Sequence, residues 1–465
     1  MSTLIDLIYK KSPIWFQNVG ISVFGLMWQQ RRFGGVFKAA YAQFKDREQF
    51  HKGQWRTYQE EQLRKLITHA VDTVPHYREI WRNALSHKRI NEFMLEDLKL
   101  FPILEKDDIR SSPDSYISEA FRRQKLHTYS TSGTTGTPLE IKFTTEMHQT
   151  WSAAYERRCR NWAGVNRCMS RAMIGGRLVV PKGDAKPPFW RYNVTEKQLY
   201  FSAFHISPQN TQYYINALNH YKPDYLVGYS SSYFFLARFI LEQQLIVHKP
   251  IAILTSSEKL TDEMRSTIRD AFNCDVYDGY SGVEACCLAS ECEHHRLHIS
   301  PDVGIIELLD EDGMPVSPGQ PGEIVVTGLL NYAQPLIRYR TGDYAVISNE
   351  ACPCGREMPV VNELVGRLED TVIGSDGRET VRFHGIFIGS NNIREGQVVQ
   401  ETLTKFVLRL VVTPFFNDED REAIKKRFEE RLGPVELQFE IVDKIERTER
   451  GKFKAVISKV RRQRA

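Results

Sequence analysis

From Arg171 to Leu254 short strand patterns and helical patterns alternate, and that order constrains the fold more than anything else in the chain. Strand, helix, strand in succession predicts an α/β domain, a sheet with helices on its faces. Ile251-Ala-Ile-Leu-Thr-Ser-Ser-Glu258 ends an apolar strand in hydroxyls and one carboxylate, and Val276-Tyr-Asp-Gly-Tyr-Ser-Gly-Val-Glu284 is a second strand-to-loop passage. The carboxyl ends of strands are where open α/β sheets bind ligands, so both passages are candidate site walls. Phe201-Ser-Ala-Phe-His205 and Pro223–Ser230 also read as strands, each followed by a loop, while the Pro- and aromatic-rich stretch Val179–Asn193 reads as a surface excursion. Tyr229, Tyr233 and Phe234 either line an apolar pocket or belong to the core.

At 465 residues the chain has room for more than one domain. Residues 1–90 read as mostly helical, with Leu63, Leu66, Ile67 and Ala70 on one helical face. Gly304–Leu309 and Gly322–Val326 are strands separated by Asp312-Gly and Pro318-Gly turns. After Gly366 the pattern restarts in a compact unit with a helix over Asp418–Leu432 and a strand around Val435–Val442. The expected division is a helical portion (1–90) and a binding core (91–366) of one large domain, a hinge (367–371) and a small α+β domain (372–465). Val19–Trp28 is too short to span a bilayer; it reads as a buried helix, with an interfacial patch beside Arg31 and Arg32 as the alternative. Eight cysteines are too few for a disulfide framework in such a chain, which points to reduced thiols and a cytoplasmic setting. A net charge of +4 with no nucleic-acid motif argues against a nucleic-acid partner.

Tyr129-Ser-Thr-Ser-Gly-Thr-Thr-Gly-Thr-Pro-Leu-Glu140 is rich in hydroxyls and carries no charge before Glu140. Glycines 133 and 136 allow a tight turn whose amides converge on one anion, with Ser132, Thr134, Thr135 and Thr137 as further donors. Gly136 is followed by Thr-Pro and not by Lys-Ser/Thr, so this is not the common P-loop. On chemistry alone the stretch is either a phosphate nest or a polar surface hairpin.

Cys292 and His298 have five residues between them, and Cys352-Pro-Cys354-Gly forms a tight knuckle. Two short pairs joined by a longer insertion can close a tetrahedral Zn²⁺ site; the competing reading is a buried thiol cluster with a surface histidine. His294 and His295 rival His298, and Cys286 and Cys287 read as helix-core thiols.

Three further motifs stand in order along the chain. Tyr339-Arg-Thr-Gly-Asp343 sets a carboxylate after a tight turn, suited to paired ribose hydroxyls. Gly366-Arg-Leu-Glu-Asp370 offers a guanidinium at the domain boundary, and Arg447–Lys454 holds two lysines in a glycine-containing loop. Together with the polar loop these resemble the adenylate-forming ligases. The resemblance is closer to the phenylacetate–CoA ligase group and, through Gln17–Gly35 and His69–Tyr77, to its CapK-like branch found with capsular polysaccharide biosynthesis.

The resemblance implies roles at single positions. Thr131–Thr137 would be the mobile phosphate-binding loop, with Thr134 among the catalytic residues. Glu284 would help hold Mg²⁺ with Tyr280 near the adenine, although Ser281 stands where the family usually has glycine. Ser257 and Glu258 would flank the adenine, Asp343 would grip the ribose, Arg367 would stand beside the hinge at Glu369 or Asp370, and Lys452 would serve adenylation ahead of Lys454. The metal-binding members of the group favour Zn²⁺ on Cys292, His298, Cys352 and Cys354 in a closed structural site. The implied activity is ATP- and Mg²⁺-dependent conversion of a carboxylic acid to an acyl- or aryl-adenylate, passed to coenzyme A. The alternatives are an amine, sugar or carrier-protein acceptor, or a scaffold without catalysis. A homodimer is what the class suggests.

Overall fold

The computed structural model describes Tyr9 and residues 11–81, 89–130, 139–177, 179–180, 186–367, 372–374, 379–380, 386–387, 392–448 and 453–460. The chain forms two compact units: Met1–Thr341 with Val346–Asn362, and Gly342–Ala345 with Glu363–Ala465.

The strands in chain order are β1 His127–Ser130, β2 Glu140–Phe143, β3 Arg171–Gly175, β4 Trp190–Asn193, β5 Gln198–Ser202, β6 Tyr225–Tyr229, β7 Ala252–Ser256 and β8 Asp275–Ser281. They continue as β9 Leu288–Glu291, β10 Leu297–Ile299, β11 Gly304–Leu309, β12 Pro321–Gly328, β13 Tyr339–Ser348 and β14 Val360–Arg367. All but the β1–β2 hairpin belong to a 12-stranded sheet ordered β11-β12-β13-β14-β10-β9-β8-β7-β6-β3-β5-β4. Its β5-β3-β6-β7-β8 stretch is parallel, and β9 then turns back antiparallel to β8. Helices Thr211–Tyr221, Ser230–Glu242 and Asp262–Phe272 supply the crossovers. Parallel strands covered on both faces need apolar side chains on both, and β5 is buried at all five positions. Tyr214, Leu218, Tyr233, Leu236, Ile240 and Phe272 pack onto Ile174, Leu199, Phe201, Leu226, Ile253 and Val276 as one core.

Helix boundaries follow local chemistry. Thr261 caps Asp262–Phe272 by accepting from the Met264 amide, and Asp262 and Glu263 in the first turn favour its positive end. In helix Lys52–Thr73 the buried face is Leu63, Leu66, Ile67 and Ala70, the four apolar positions of the sequence pattern.

The second unit contains β15 Val372–Ile373, β16 Glu379–Thr380, β17 Ile393–Gln400, β18 Lys405–Val412, β19 Glu436–Ile441 and β20 Val456–Ser458. Four of them form a sheet ordered β19-β18-β17-β20. Helix Asp418–Leu432, capped by Asn417, lays Ile424 and Phe428 in the core with Phe406, Leu408 and Leu410. The protein is thus a large mixed α/β unit with a smaller α+β unit, the expected fold class.

Four expectations need correction. Helix Ile14–Phe33 contains Val19–Trp28, yet Val19, Val23, Leu26 and Met27 are exposed, not buried. Val179–Asn193 does not end as an excursion: Trp190–Asn193 is the edge strand β4, with Arg191 and Asn193 buried. Tyr229 runs directly into helix Ser230–Glu242 with no loop. Cys286 and Cys287 are buried in the turn leading to β9, not in a helix.

Candidate active site and metal centre

Cys292 follows β9, His298 lies on β10, and Cys352 and Cys354 occupy the turn before β14. Their ligand atoms all lie within 4.8 Å of one another. Cys292 Sγ and Cys352 Sγ are 3.6 Å apart, and Cys354 Sγ is 3.4 Å from His298 Nε2. A tetrahedral zinc with Zn–S of about 2.3 Å sets its thiolates about 3.7 Å apart, so the donor set fits such an ion. Gly355, at φ +80°, allows the turn in which its own amide donates to the Cys352 carbonyl. His298 is fully buried, and its Nδ1 lies 3.2 Å from the Met358 carbonyl. Donation from that nitrogen leaves the Nε2 lone pair facing the thiols, the usual way a ligating imidazole is oriented. Burial pushes the Cys292 thiol up to about 12 and holds the His298 pKa down. Neutral thiols here become thiolates only when a cation offsets the lost hydration.

The surroundings hold this knot tightly. Trp55, Trp162, Met358 and Val360 pack around Cys292 and Cys352. The Arg356 guanidinium lies over the Trp162 ring at 4.5 Å and pairs with Glu293 at 2.8 Å. Of the rivals, His295 faces Glu291 and Tyr277 instead.

Ser257, Glu258, Tyr280 and Glu284 lie at or just beyond the carboxyl ends of β7 and β8. Ser257 is exposed and left-handed, at φ +71°. Glu258 turns back: its carboxylate accepts from the Ser231 amide at 3.0 Å and the Ser231 hydroxyl at 2.6 Å. It thereby satisfies the start of helix Ser230–Glu242. Tyr280 is half-buried on β8. Glu284 sits in a turn closed by the Ala285 amide on the Gly282 carbonyl. The Tyr339 hydroxyl donates to Glu284 Oε1 at 3.0 Å, while Oε2 lies over Gly282, where a Cβ would meet it at 2.4 Å. Gly282 is required for that rotamer. Asp343 lies on β13 after Gly342 (φ +79°), among the residues grouped with the second unit. Tyr233, a candidate pocket residue, is a core side chain whose hydroxyl donates to the Val227 carbonyl.

Ser132, Gly133, Thr134, Thr135, Gly136, Thr137, Glu369, Asp370 and Lys452 lie outside the described residues, as does the Arg367 side chain.

A buried carboxylate pair had no role in the sequence reading. Asp278 Oδ1 accepts from the Thr255 hydroxyl and the Gly279 amide, and the Asp278 amide donates to Glu291. Arg265 pairs with Glu291 in a fork. Asp278 is partly exposed as a residue, but its carboxyl points inward, where burial and then the Glu291 carboxylate push its pKa up to about 7. Thr255, Ser256, Asp278, Gly279, Ser281 and Glu291 line a cavity of about 20 Å³, room for a single water. Only the β8–β9 register, Gly279 opposite Ser290, sets these groups together; no local spacing signals it.

Residues 374–459 match the CapK C-terminal domain family. The chain is 29% identical to Protein CapK of Staphylococcus aureus over 98% of its own length and 100% of that protein's. It is 27% identical to the phenylacetate–coenzyme A ligase of Pseudomonas putida, over 68% of this chain and 72% of that enzyme. The fold is that of 2-hydroxyisobutyryl-CoA ligase, with TM-score 0.71 and 20% identity over 89% of this chain and 91% of that one. With its two-unit α/β architecture and this end-to-end likeness, the chain resembles the CapK and phenylacetate–CoA ligase proteins, and its residues 374–459 carry the CapK C-terminal domain.

Proposed function

We propose that the protein is an AMP-forming acid ligase that joins a small carboxylic acid to ATP as an acyl- or aryl-adenylate, releases pyrophosphate and passes the acyl group to coenzyme A. The observation that carries this reading is the Tyr280–Glu284 turn: a carboxylate with one oxygen held by Tyr339 and the other over Gly282, at the carboxyl ends of a parallel sheet. A hard divalent cation takes one or two protein carboxylates plus substrate phosphates, and the Glu284 carboxylate fits that use. When bound, Mg²⁺ would supply positive charge as the pyrophosphate leaves.

The chain's own groups carry the rest. In the first step the acid's carboxylate oxygen bonds to the α-phosphorus as the bond to pyrophosphate breaks. Amides and hydroxyls of Ser132–Thr137 and the Lys452 ammonium would bear the negative charge that moves onto the departing oxygens. Asp343 would bind the ribose hydroxyls, and Ser257 and Tyr280 would flank the adenine. Movement at residues 367–371, with Arg367 beside it, would then exchange Lys452 for the acceptor. In the second step the thiol sulfur bonds to the acyl carbon, AMP leaves with the bonding pair, and the thiol proton is lost. Cys292, His298, Cys352 and Cys354 would hold a structural Zn²⁺ with no coordination position left for substrate.

Mass spectrometry of candidate acids incubated with ATP, first alone and then with coenzyme A, tests the reading. The expected products are an acyl-adenylate with pyrophosphate, then an acyl-CoA with AMP. ATP left intact across a broad acid panel overturns it.

A further inference from the structure

Helix Ile14–Phe33 carries a continuous apolar stripe on its solvent side. Its outward stripe is Trp15, Phe16, Val19, Val23, Leu26 and Met27, exposed from 45% at Phe16 to 67% at Trp15. Its inward side is hydrogen-bonded to the hairpin of β4 and β5, with Ile21, Trp28 and Phe33 half-buried beside those bonds. Gln17 Oε1 accepts from Arg191, Asn18 Oδ1 from the Tyr192 amide, and the Ser22 hydroxyl from the Val194 amide. Gln29 donates to the Thr195 carbonyl, and Arg32 pairs with Glu196. Gly25 closes the contact: a Cβ there would lie 2.3 Å from Asn193 Nδ2. Hydrogen bonds that span more than 160 residues therefore fix the helix with its apolar side to solvent. The hydrophobic effect disfavours that arrangement unless something covers the stripe.

Charge selects the covering. Between Asp6 and Asp46 there are six basic residues, Lys10, Lys11, Arg31, Arg32, Lys38 and Lys45, and no acidic one; of these Arg32 is already paired with Glu196. Lys11, Lys38 and Lys45 are exposed, as are Val194 and Lys197 on the hairpin that holds the helix. A second copy of the chain, docked by the same patch, would bring this acid-free segment against itself, like charge against like. An anionic bilayer meets it with opposite charge. The outward stripe carries no charge, and its Trp15 is a residue type that prefers the headgroup level. No helix of the described residues is long and apolar enough to cross a membrane, so the helix would lie in the surface plane.

We propose that helix Ile14–Phe33 is a membrane-surface element that sets its Trp15–Met27 stripe into the headgroup boundary of an anionic lipid bilayer. The proposal does not depend on the ligase reading. Its test is flotation of the full-length protein with phosphatidylcholine vesicles, with and without phosphatidylglycerol, for wild type and for Val19→Glu with Val23→Glu. Wild type should float with the anionic vesicles, and the double variant should lose at least about tenfold in bound fraction, because two carboxylates then enter an apolar boundary. The melting curve should be unchanged, since both side chains are exposed. If the double variant fails to fold, Trp15→Ser repeats the test from the most exposed position. Absence of flotation, equal flotation on both vesicle types, or flotation unaffected by the substitutions overturns the proposal. A wild-type dimer that the variant dissociates, with no vesicle binding, overturns it in favour of a second copy.

Discussion

The cysteine–histidine knot and the rim around Glu284 are neighbours along one pair of antiparallel strands, yet they are built in opposite ways. In the knot, four ligand atoms converge within 4.8 Å, Cys292 and His298 are wholly buried, and Trp55 and Trp162 pack around them. At the rim, Ser257 and Ala285 sit in left-handed conformations, Tyr280 and Glu284 are half-exposed, and the Glu284 carboxylate is held through Tyr339. A zinc held there as proposed would have all four positions filled and would add to stability. Left-handed backbone beside a part-exposed carboxylate suits the nucleotide-facing rim proposed above. β9 joins them: Ala289 pairs with Tyr280 at the rim, and Glu291 precedes Cys292 at the knot.

The largest expected effect breaks the knot. Replacing Cys352 and Cys354 with serine should cost on the order of 3 kcal/mol or more in stability and remove zinc detectable by elemental analysis. Nucleotide affinity should fall with it, since β9 serves both sites. Equal melting curves and no zinc in either protein would make the cluster a set of buried thiols and dissolve the contrast.

The rim should respond in activity alone. Glu284→Gln is expected to lower acid-dependent adenylation by about 10²–10³-fold while leaving stability within about 1 kcal/mol of wild type. A large shift in melting temperature with adenylation retained would assign Glu284 to structure.

Asp278 stands between the two regions and should show in a pH series. Its folded pKa, about 7, lies above the model-peptide value of about 3.9 expected of the unfolded chain, so the native state keeps a proton there that the unfolded state gives up. Its contribution is fully present below about pH 4 and lost as pH rises through about 7. Urea titrations of Asp278→Asn should lack that slope between about pH 4 and about pH 7. Parallel pH profiles for the two proteins would mean that the carboxyl is ordinary. The smallest effect is at Ser257, where glycine relieves the φ of +71° and should change stability by no more than about 1 kcal/mol.

What could be read ahead of the structure follows from how local each signal is. Helix Asp418–Leu432 was legible because Asn417 caps it and its apolar positions recur within the element. The knot was legible because thiols and an imidazole at short spacing have few other uses. The exposure of Val19–Trp28 was not legible: an apolar run reads as burial, and the polar contacts that turn it outward lie on a distant hairpin. The Asp278–Glu291 pair is set by strand register, which no window of sequence contains. Glu258 was read as a site wall, and its bonds to Ser231 arise because a helix starts directly where a loop was expected.

The central claim, that this chain drives a carboxylate onto the α-phosphate of ATP, is tested most directly by ATP–pyrophosphate exchange. Wild type should incorporate labelled pyrophosphate into ATP only when the cognate acid is present, and Lys452→Ala should largely abolish the exchange. Exchange that ignores the acid, or none across a broad acid panel from a protein that also fails to bind ATP in calorimetry, would contradict the account.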